Sequence, residues 1–233
     1  PQINTLQNNN LNSSGLSSGI PRLQHSIWVG NPLNADIPKQ QKFMNALVKN
    51  KRENPNWTVV LWTDQTRETM NNASPDSLPG KMRQWAAEND IVLANIDEVF
   101  AGNNKMTLNE ISNLEQNKGG TGRAAVSDIA RLEILNRFGG MYVDGDKPIL
   151  VELDEIASAA NNNKIRLGIP SGEFQGFAAG NYFGGIQNCA LCAQKGHTVT
   201  QRILENIRIN YRKNREKLEI KGASADKLPR AQR

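Results

Sequence analysis

The chain has 233 residues, of which 38% are hydrophobic and 22% are charged, and its formal net charge at pH 7 is +5. This length is enough for one hydrophobic core, and no window approaches the roughly 18 uninterrupted apolar residues of a membrane-spanning helix. The only cysteines are Cys189 and Cys192, which excludes a small secreted scaffold held by several disulfides.

The first twenty residues predict a linker. Residues 1–20 are rich in asparagine, serine and glycine, a composition typical of flexible segments. Globular character begins at Pro21, so we expect one domain over residues 21–233. The chain begins with proline and has no basic-then-apolar leader, so we interpret it as a piece of a longer protein.

Strands and helices then alternate along the chain. We predict strands at 23–30, 57–64, 91–95, 141–146, 165–169 and 181–186, and helices at 36–53, 78–88, 104–117, 121–138 and 196–219. The strand at 57–64 is apolar almost throughout, which is typical of a sheet covered on both faces. The pattern predicts an α/β fold with a mostly parallel central sheet and flanking helices.

Two aspartates, Asp144 and Asp146, stand one residue apart where the strand at 141–146 ends. Ligands of parallel sheets bind at the carboxyl ends of the strands, and carboxylate oxygens suit Mg²⁺ or Mn²⁺. We expect Gly145 to let the backbone turn both acids toward one side. The motif alone is weak, because two neighbouring acids in an exposed turn occur often by chance.

A second charged pair lies on the helix predicted at 121–138. Asp128 and Arg131 are i,i+3 neighbours, a spacing that also occurs in surface ion pairs. The surrounding AAVSDIA is small and apolar, which places this stretch near the core. A charged pair there needs a further partner, which favours a functional site.

The segment AAVSDIARLEILNRFGGMYVDGD, with PRLQHSIWVG upstream, resembles the D-x-D glycosyltransferase family that includes the catalytic domains of large clostridial glucosylating cytotoxins. The matching motifs cover residues 21–30 and 121–146. The resemblance implies a GT-A-type nucleotide-sugar-binding fold in a bacterial toxin or effector that acts in a host cytosol. It also implies a metal-dependent, retaining transfer from a UDP-sugar, N-acetylglucosamine or glucose, to a side-chain hydroxyl of a host protein such as a small GTPase.

The resemblance also implies which residues bind the nucleotide. Trp28 matches a tryptophan that stacks on uracil, and Ile27 would line the same pocket. Ser127 and Tyr142 match residues that line the nucleotide. Further along, Asn181 matches an asparagine that enters the site, and Asn188 is the alternative.

The charged residues receive the catalytic roles from the same resemblance. Asp128 matches the acid that contacts the sugar hydroxyls, and Arg131 matches the base that contacts the sugar or the diphosphate. Asp144 would contact the ribose and the sugar, directly or through the metal shell. Asp146 would be the main protein ligand of Mn²⁺, or of Mg²⁺ in its place.

One departure leaves alternatives open. In the toxins a loop beyond the last helix supplies a further metal contact and a tryptophan, whereas this chain has no tryptophan after Trp85. The alternatives are a catalytic domain truncated at its C-terminus, a closing loop built differently, and an inactive module that binds nucleotide-sugars.

A rival interpretation is an RNA-binding zinc knuckle. Cys189, Cys192 and His197 have the C-x₂-C-x₄-H spacing of such a site, but Arg202 occupies the position of the fourth ligand. We therefore do not expect nucleic acid as a partner. The tail from Arg202 has ten Lys or Arg against four Asp or Glu. This basic helix is a solvated face, or a surface that meets an acidic GTPase or a membrane.

Overall fold

The computed structural model describes residues 20–117, 122–145, 147, 149, 152–159, 166–168 and 187–220. Within these residues six strands form one sheet. They are β1 (Leu23–Trp28), β2 (Thr58–Thr63), β3 (Ile91–Asn95), β4 (Gly140–Val143), β5 (Arg166–Gly168) and β6 (Gln187–Ala193), in the spatial order β3-β2-β1-β4-β6-β5.

The sheet is parallel around its centre. β1 pairs in parallel with β2 on one side and with β4 on the other, and β2 pairs in parallel with β3. β6 runs antiparallel to both β4 and β5. The predicted α/β fold with a mostly parallel sheet is confirmed. Since the strand order reverses between β1 and β4, the carboxyl ends of these two strands form the edge at which such sheets bind ligands.

Helices cover both faces of the sheet. They are α1 (Pro38–Glu53), α2 (Arg67–Asn72), α3 (Leu78–Glu88), α4 (Ile96–Val99), α5 (Asn109–Gln116), α6 (Gly122–Phe138), α7 (Leu153–Ala159) and α8 (Thr198–Ile220). The predicted helix at 78–88 and strand at 91–95 coincide with α3 and β3. The short helices α2, α4 and α7 were not predicted, and the predicted strand at 181–186 lies outside the described residues.

The alternation of β2 builds two apolar layers, because successive side chains of a strand point to opposite faces. Val59 and Leu61 pack with α1 and α3 in one layer. Val60 and Trp62 pack with α6 and α8 in the other. The prediction of a strand covered on both faces is confirmed, and we refer below to the α1 face and the α6 face of the sheet.

A buried histidine ties three segments together on the α6 face. His25, on β1, is 1% exposed, and its Nδ1 lies 3.1 Å from Trp62 Nε1. Because an indole N–H only donates, His25 Nδ1 is the acceptor, and Nε2 donates to the Gly139 carbonyl at 2.9 Å. Burial lowers the pKa of His25 to about 4. Gly139 ends α6 with φ of +68°, as the predicted glycine stop requires.

The structure argues against the zinc knuckle. Cys189 and Cys192 both lie on β6, where a spacing of three places their side chains on opposite faces of the strand. Both are buried, with Cys192 in the apolar layer around Trp57 and Met141. Two thiols that face away from each other do not converge on one zinc ion.

Among the residues that the structure describes, no helix combines the length and the apolar character needed to cross a lipid bilayer.

Candidate functional site

Most of the predicted site residues that the structure describes lie around the carboxyl ends of β1 and β4. Trp28 is the last residue of β1, and Asp144 directly follows β4. The helix α6 crosses the same edge and carries Ser127, Asp128 and Arg131. The fold therefore brings together segments that are far apart in the sequence. Asp146 and Asn181 lie outside the described residues, so their predicted roles stay predictions, and the side chain of Asn188 is likewise not described.

Arg131 is the centre of a charged network on the α6 face. Its side chain is only 7% exposed, and its guanidinium forms ion pairs with Asp128 at 2.9 Å and with Asp144 at 3.5 Å. It also donates to the Ser127 carbonyl at 3.3 Å and to the Ser127 hydroxyl at 3.4 Å. Asp128 and Arg131 are thus more than an isolated surface pair, because the arginine links the helix to the residue after β4.

Tyr142 supports this network from β4. Its hydroxyl donates to Asp144 Oδ1 at 2.7 Å, and the Arg131 guanidinium lies 4.5 Å from the centre of its ring. Burial raises the pKa of Tyr142, and the negative charge of Asp144 raises it further. The phenol therefore keeps its proton at neutral pH and remains a donor to the Asp144 carboxylate.

Trp28 lies on the opposite face of the sheet from this network. Its ring packs edge-on against Phe43 of α1, with ring centroids 5.2 Å apart, and its Nε1 donates to the Asn31 carbonyl at 2.8 Å. Ile27 points the other way and belongs to the apolar layer on the α6 face. The structure therefore does not bring the side chains of Ile27 and Trp28 into one pocket, because neighbours on a strand face opposite sides.

The backbone of Gly145 also lies against the ring of Phe43. A Cβ atom at Gly145 would overlap the Phe43 ring, whereas the φ of Gly145 lies outside the left-handed region that favours glycine. The prediction that glycine serves here for backbone freedom is therefore wrong. The reason for glycine is space, since the ring of Phe43 occupies the place of a side chain.

A cavity of about 350 Å³ lies at the ends of β1, β2 and β3. Its lining includes Val29, Asp64, Asp97, Arg123 and Val126. Burial raises the pKa of Asp97, and the charge of Asp64 raises it further. The cavity combines carboxylates, a guanidinium and apolar surface, which is the mixed lining of a small-molecule site.

The loop that follows Trp28 is held beside this cavity. The Gly30 amide donates to Asp64 Oδ2 at 2.8 Å, and Gln65 Nε2 donates to the Gly30 carbonyl at 2.7 Å. No sequence pattern pointed to Phe43, Asp64 or Gln65. Asp64 and Gln65 directly follow the apolar strand β2. Polar residues at the carboxyl end of a strand are the one sequence signal that could have indicated their place at the site.

A divalent cation fits the chemistry of the acid pair. The side chain of Asp144 is 31% exposed, so its carboxylate is accessible to a cation and a substrate. Within the described part of the chain, no three His, Cys, Asp or Glu side chains form a cage for a metal. Mg²⁺ and Mn²⁺ do not require one, because one or two carboxylates with substrate phosphates and water suffice.

A match to a protein-family model shows the family to which the chain belongs. Residues 40–162 match the model of the family described as "Glycosyltransferase sugar-binding region containing DXD motif". The chain belongs to this DXD glycosyltransferase family. The resemblance in the sequence is thereby confirmed, and the acid pair at Asp144 and Asp146 lies within the matched residues.

A solved structure with a TM-score above 0.5 shows the fold of this DXD glycosyltransferase, and two further structures match less well. The PaToxG glycosyltransferase matches with a TM-score of 0.57 at 15% identity, over 84% of this chain and 63% of that one. The UDP-bound glycosyltransferase domain from the YGT toxin matches with a TM-score of 0.49 at 16% identity, over 93% of this chain and 66% of that one. The catalytic domain of alpha-toxin from Clostridium novyi gives 0.45 at 12% identity, over 88% and 61%.

The chain spans less than two thirds of the length of each of these three structures. A search of the curated proteins found no match.

Proposed function

We propose that this protein transfers a sugar from a UDP-sugar, N-acetylglucosamine or glucose, to a side-chain hydroxyl of a host protein, with a small GTPase as the acceptor. The observation that carries the proposal is the network of Asp128, Arg131, Tyr142 and Asp144 at the carboxyl ends of the central strands. Membership of the DXD glycosyltransferase family supports the same chemistry.

The residues of the network suit a donor that carries both hydroxyls and phosphates. Asp128 is half exposed at 51%, so its carboxylate is available to accept hydrogen bonds from sugar hydroxyls. The Arg131 guanidinium is held in one orientation by its acceptors, and it presents a fixed positive charge to the diphosphate. Tyr142 fixes the Asp144 carboxylate, which we assign to the ribose and the sugar. On the α1 face, we assign the Trp28 ring to stacking on uracil.

We assign Asp144 and Asp146 to hold Mn²⁺ or Mg²⁺ next to the diphosphate. A bound cation there stabilises the negative charge that develops on UDP as it leaves. We propose retention of configuration at the sugar, because no residue of the network is placed as an obvious base for the acceptor.

The proposed site of action is a host cytosol, which the protein would reach as a secreted or translocated bacterial toxin or effector. We propose residues 21–233 as the glycosyltransferase catalytic domain, with truncation at its C-terminus as the alternative, and residues 1–20 as a flexible linker. The exposed side chains of Arg202, Arg212 and Lys213 on α8 suit contact with an acidic protein or a membrane surface.

Hydrolysis of UDP-sugars by the purified protein tests the proposal. We expect UDP release from one sugar of a panel, with activity lost in EDTA and restored by Mn²⁺. Asp146→Asn is expected to lower this turnover by at least about a hundredfold while the thermal unfolding midpoint is kept, because the change removes a negative charge at the cation and keeps the size of the side chain.

Binding of UDP, measured in the same preparations, separates the possible failures. If UDP binds in the presence of Mn²⁺ but no sugar is released, the protein is an inactive module that binds nucleotide-sugars and not a transferase. If neither UDP nor any UDP-sugar binds, the proposed donor is wrong.

A further inference from the structure

Phe43 connects the two halves of the candidate site. It lies on α1, is 7% exposed, and packs its ring edge-on against Trp28 with an interplanar angle of 60°. It also contacts the backbone at Gly145, which stands between the two aspartates of the acid pair in the sequence. One ring therefore lies between the Trp28 ring, the proposed platform for the base, and the backbone that directly follows Asp144.

The contact with Gly145 leaves no spare room. For a Cβ atom placed at Gly145, the three nearest atoms all belong to the Phe43 ring, and they overlap it. Ring atoms of a buried phenylalanine on a helix cannot move far, because α1 also packs Met44 and Leu47 into the same apolar layer. A displacement of the turn therefore moves the ring, and a displacement of the ring reaches Trp28.

We propose that Phe43 is a positioning residue for donor binding, which couples the orientation of the Trp28 ring to the conformation of the turn at Asp144 and Gly145. This inference rests on the proposed function, since it assumes that Trp28 and Asp144 bind parts of the same donor. The ring holds the two contacts at a fixed separation, so that the base and the sugar-diphosphate are bound together.

A purely structural role for Phe43 makes a different prediction. Loss of the ring would then lower the free energy of unfolding without changing the affinity of the folded protein for UDP. Leu47 provides the matched control, because it lies one turn further along α1, is fully buried and belongs to the same apolar layer. Leu47→Val removes apolar volume from that layer but leaves the Phe43 ring in place.

The test is a double-mutant cycle on UDP affinity and on KM and kcat for the UDP-sugar. Gly145→Ala is expected to raise the Kd for UDP at least about tenfold, because the new methyl group displaces the ring. In the Phe43→Val background, where the overlapping ring atoms are absent, Gly145→Ala is expected to change the Kd by less than about twofold. In the Leu47→Val background it keeps its full effect. Equal effects of Gly145→Ala in all three backgrounds would overturn the proposal.

Fluorine NMR supplies a readout that does not depend on activity. The chain has four tryptophans, and Trp28→Phe identifies the resonance of Trp28 in fluorotryptophan-labelled protein. We expect Gly145→Ala to shift this resonance in the wild-type and Leu47→Val proteins but not in the Phe43→Val protein. An unchanged resonance, or an equal shift without the ring, would contradict the coupling. Should Phe43→Val not fold, Phe43→Ala, which also lacks every overlapping ring atom, takes its place.

The two measurements also separate this inference from the proposed function. If the wild-type protein binds no UDP, the proposed donor is wrong and with it the role of Phe43 in donor binding. The fluorine experiment then still decides whether Phe43 couples Trp28 to the turn.

Discussion

At the scale of single residues, the site depends on the ion pairs and hydrogen bonds that compensate the buried charge of one guanidinium. Arg131 is almost fully buried, and a buried charge is costly unless it is paired and hydrogen-bonded. Asp128 lies on the same helix, whereas Asp144 and Tyr142 come from β4 and its exit. The arginine therefore fixes the position of α6 relative to Asp144, in addition to any contact with a substrate.

Tyr142→Phe tests how much this support contributes. The change removes the hydroxyl that donates to Asp144 Oδ1 at 2.7 Å and keeps the ring under Arg131. We expect kcat/KM for the UDP-sugar to fall about tenfold, or about 1.4 kcal/mol, because one hydrogen bond to a carboxylate is lost. Steady-state kinetics measure this value. Tyr211→Phe is the control, since Tyr211 also donates to a carboxylate, that of Glu115, but is not a site residue. An equal loss of activity in both variants would contradict the prediction.

At the scale of elements, α6 is buried on two sides. It packs against the sheet and is also covered by α5 and α8. The buried carboxylate of Glu133 on α6 accepts a hydrogen bond from the Leu108 amide at 2.7 Å, just before α5 begins. Tyr211 of α8 donates to Glu115 of α5 at 2.7 Å. These two polar contacts link α6, α5 and α8 to one another.

Tyr211→Phe should loosen the attachment of α8. Glu115 is 7% exposed, so its carboxylate loses a donor in a place where water replaces it poorly. We expect the free energy of unfolding to fall by about 1–2 kcal/mol, as measured by urea denaturation at neutral pH. Arg212→Gln alters an exposed side chain of the same helix and should leave stability within about 0.5 kcal/mol. Unchanged stability in Tyr211→Phe would show that α8 is held by apolar packing alone.

At the scale of the whole molecule, the centre of the sheet depends on a neutral histidine. His25 joins β1, β2 and the turn before β4, and these are the strands whose ends form the site. Protonation of Nδ1 would break the hydrogen bond from Trp62 and place a charge in the core. The low pKa of His25, about 4, expresses this cost.

Stability should therefore depend on pH through His25. Between pH 6.5 and 4 the imidazole of His25 binds a proton in the unfolded chain but not in the folded protein. The contribution of neutral His25 to the free energy of unfolding is therefore fully present above pH 6.5 and is lost as the pH falls toward 4. The full contribution is about 3 kcal/mol. Urea denaturation at several pH values measures it. His25→Gln should lower stability at pH 7 and flatten this part of the profile.

The comparison with variants isolates this effect. Asp97 and Glu133 have raised pKa values and act in the opposite direction over part of the same range, so the difference between wild type and His25→Gln is the relevant quantity. His197→Gln is the comparison for the second histidine, because burial also lowers the pKa of His197, but this residue is only partly buried and lies outside the sheet, so its effect on the profile should be smaller. A profile of His25→Gln that parallels the wild type would contradict the assignment.

Sequence patterns predicted the local elements and the family well. The apolar alternation of β2, the glycine pair after α6 and the linked motifs around Asp128 and Asp144 are short-range signals, and they led to the correct fold class. The strand β6 was not predicted, since a strand was expected at 181–186, whereas residues 187–193 form an interior strand that pairs antiparallel with β4 and β5. The short helices α2, α4 and α7 carry too few turns for a clear period.

By itself, the sequence determined which residue types stand at the ends of the strands, since hydrophobic period, glycine stops and motif spacing are properties of neighbouring residues. Only the tertiary structure decided which of those side chains meet. Arg131 reaches Asp144 because α6 crosses the end of β4, Trp28 and Ile27 separate because they face opposite sides of β1, and Gly145 is required because Phe43 fills its side-chain space. Such contacts depend on the packing of segments far apart in the chain, and no local pattern records them.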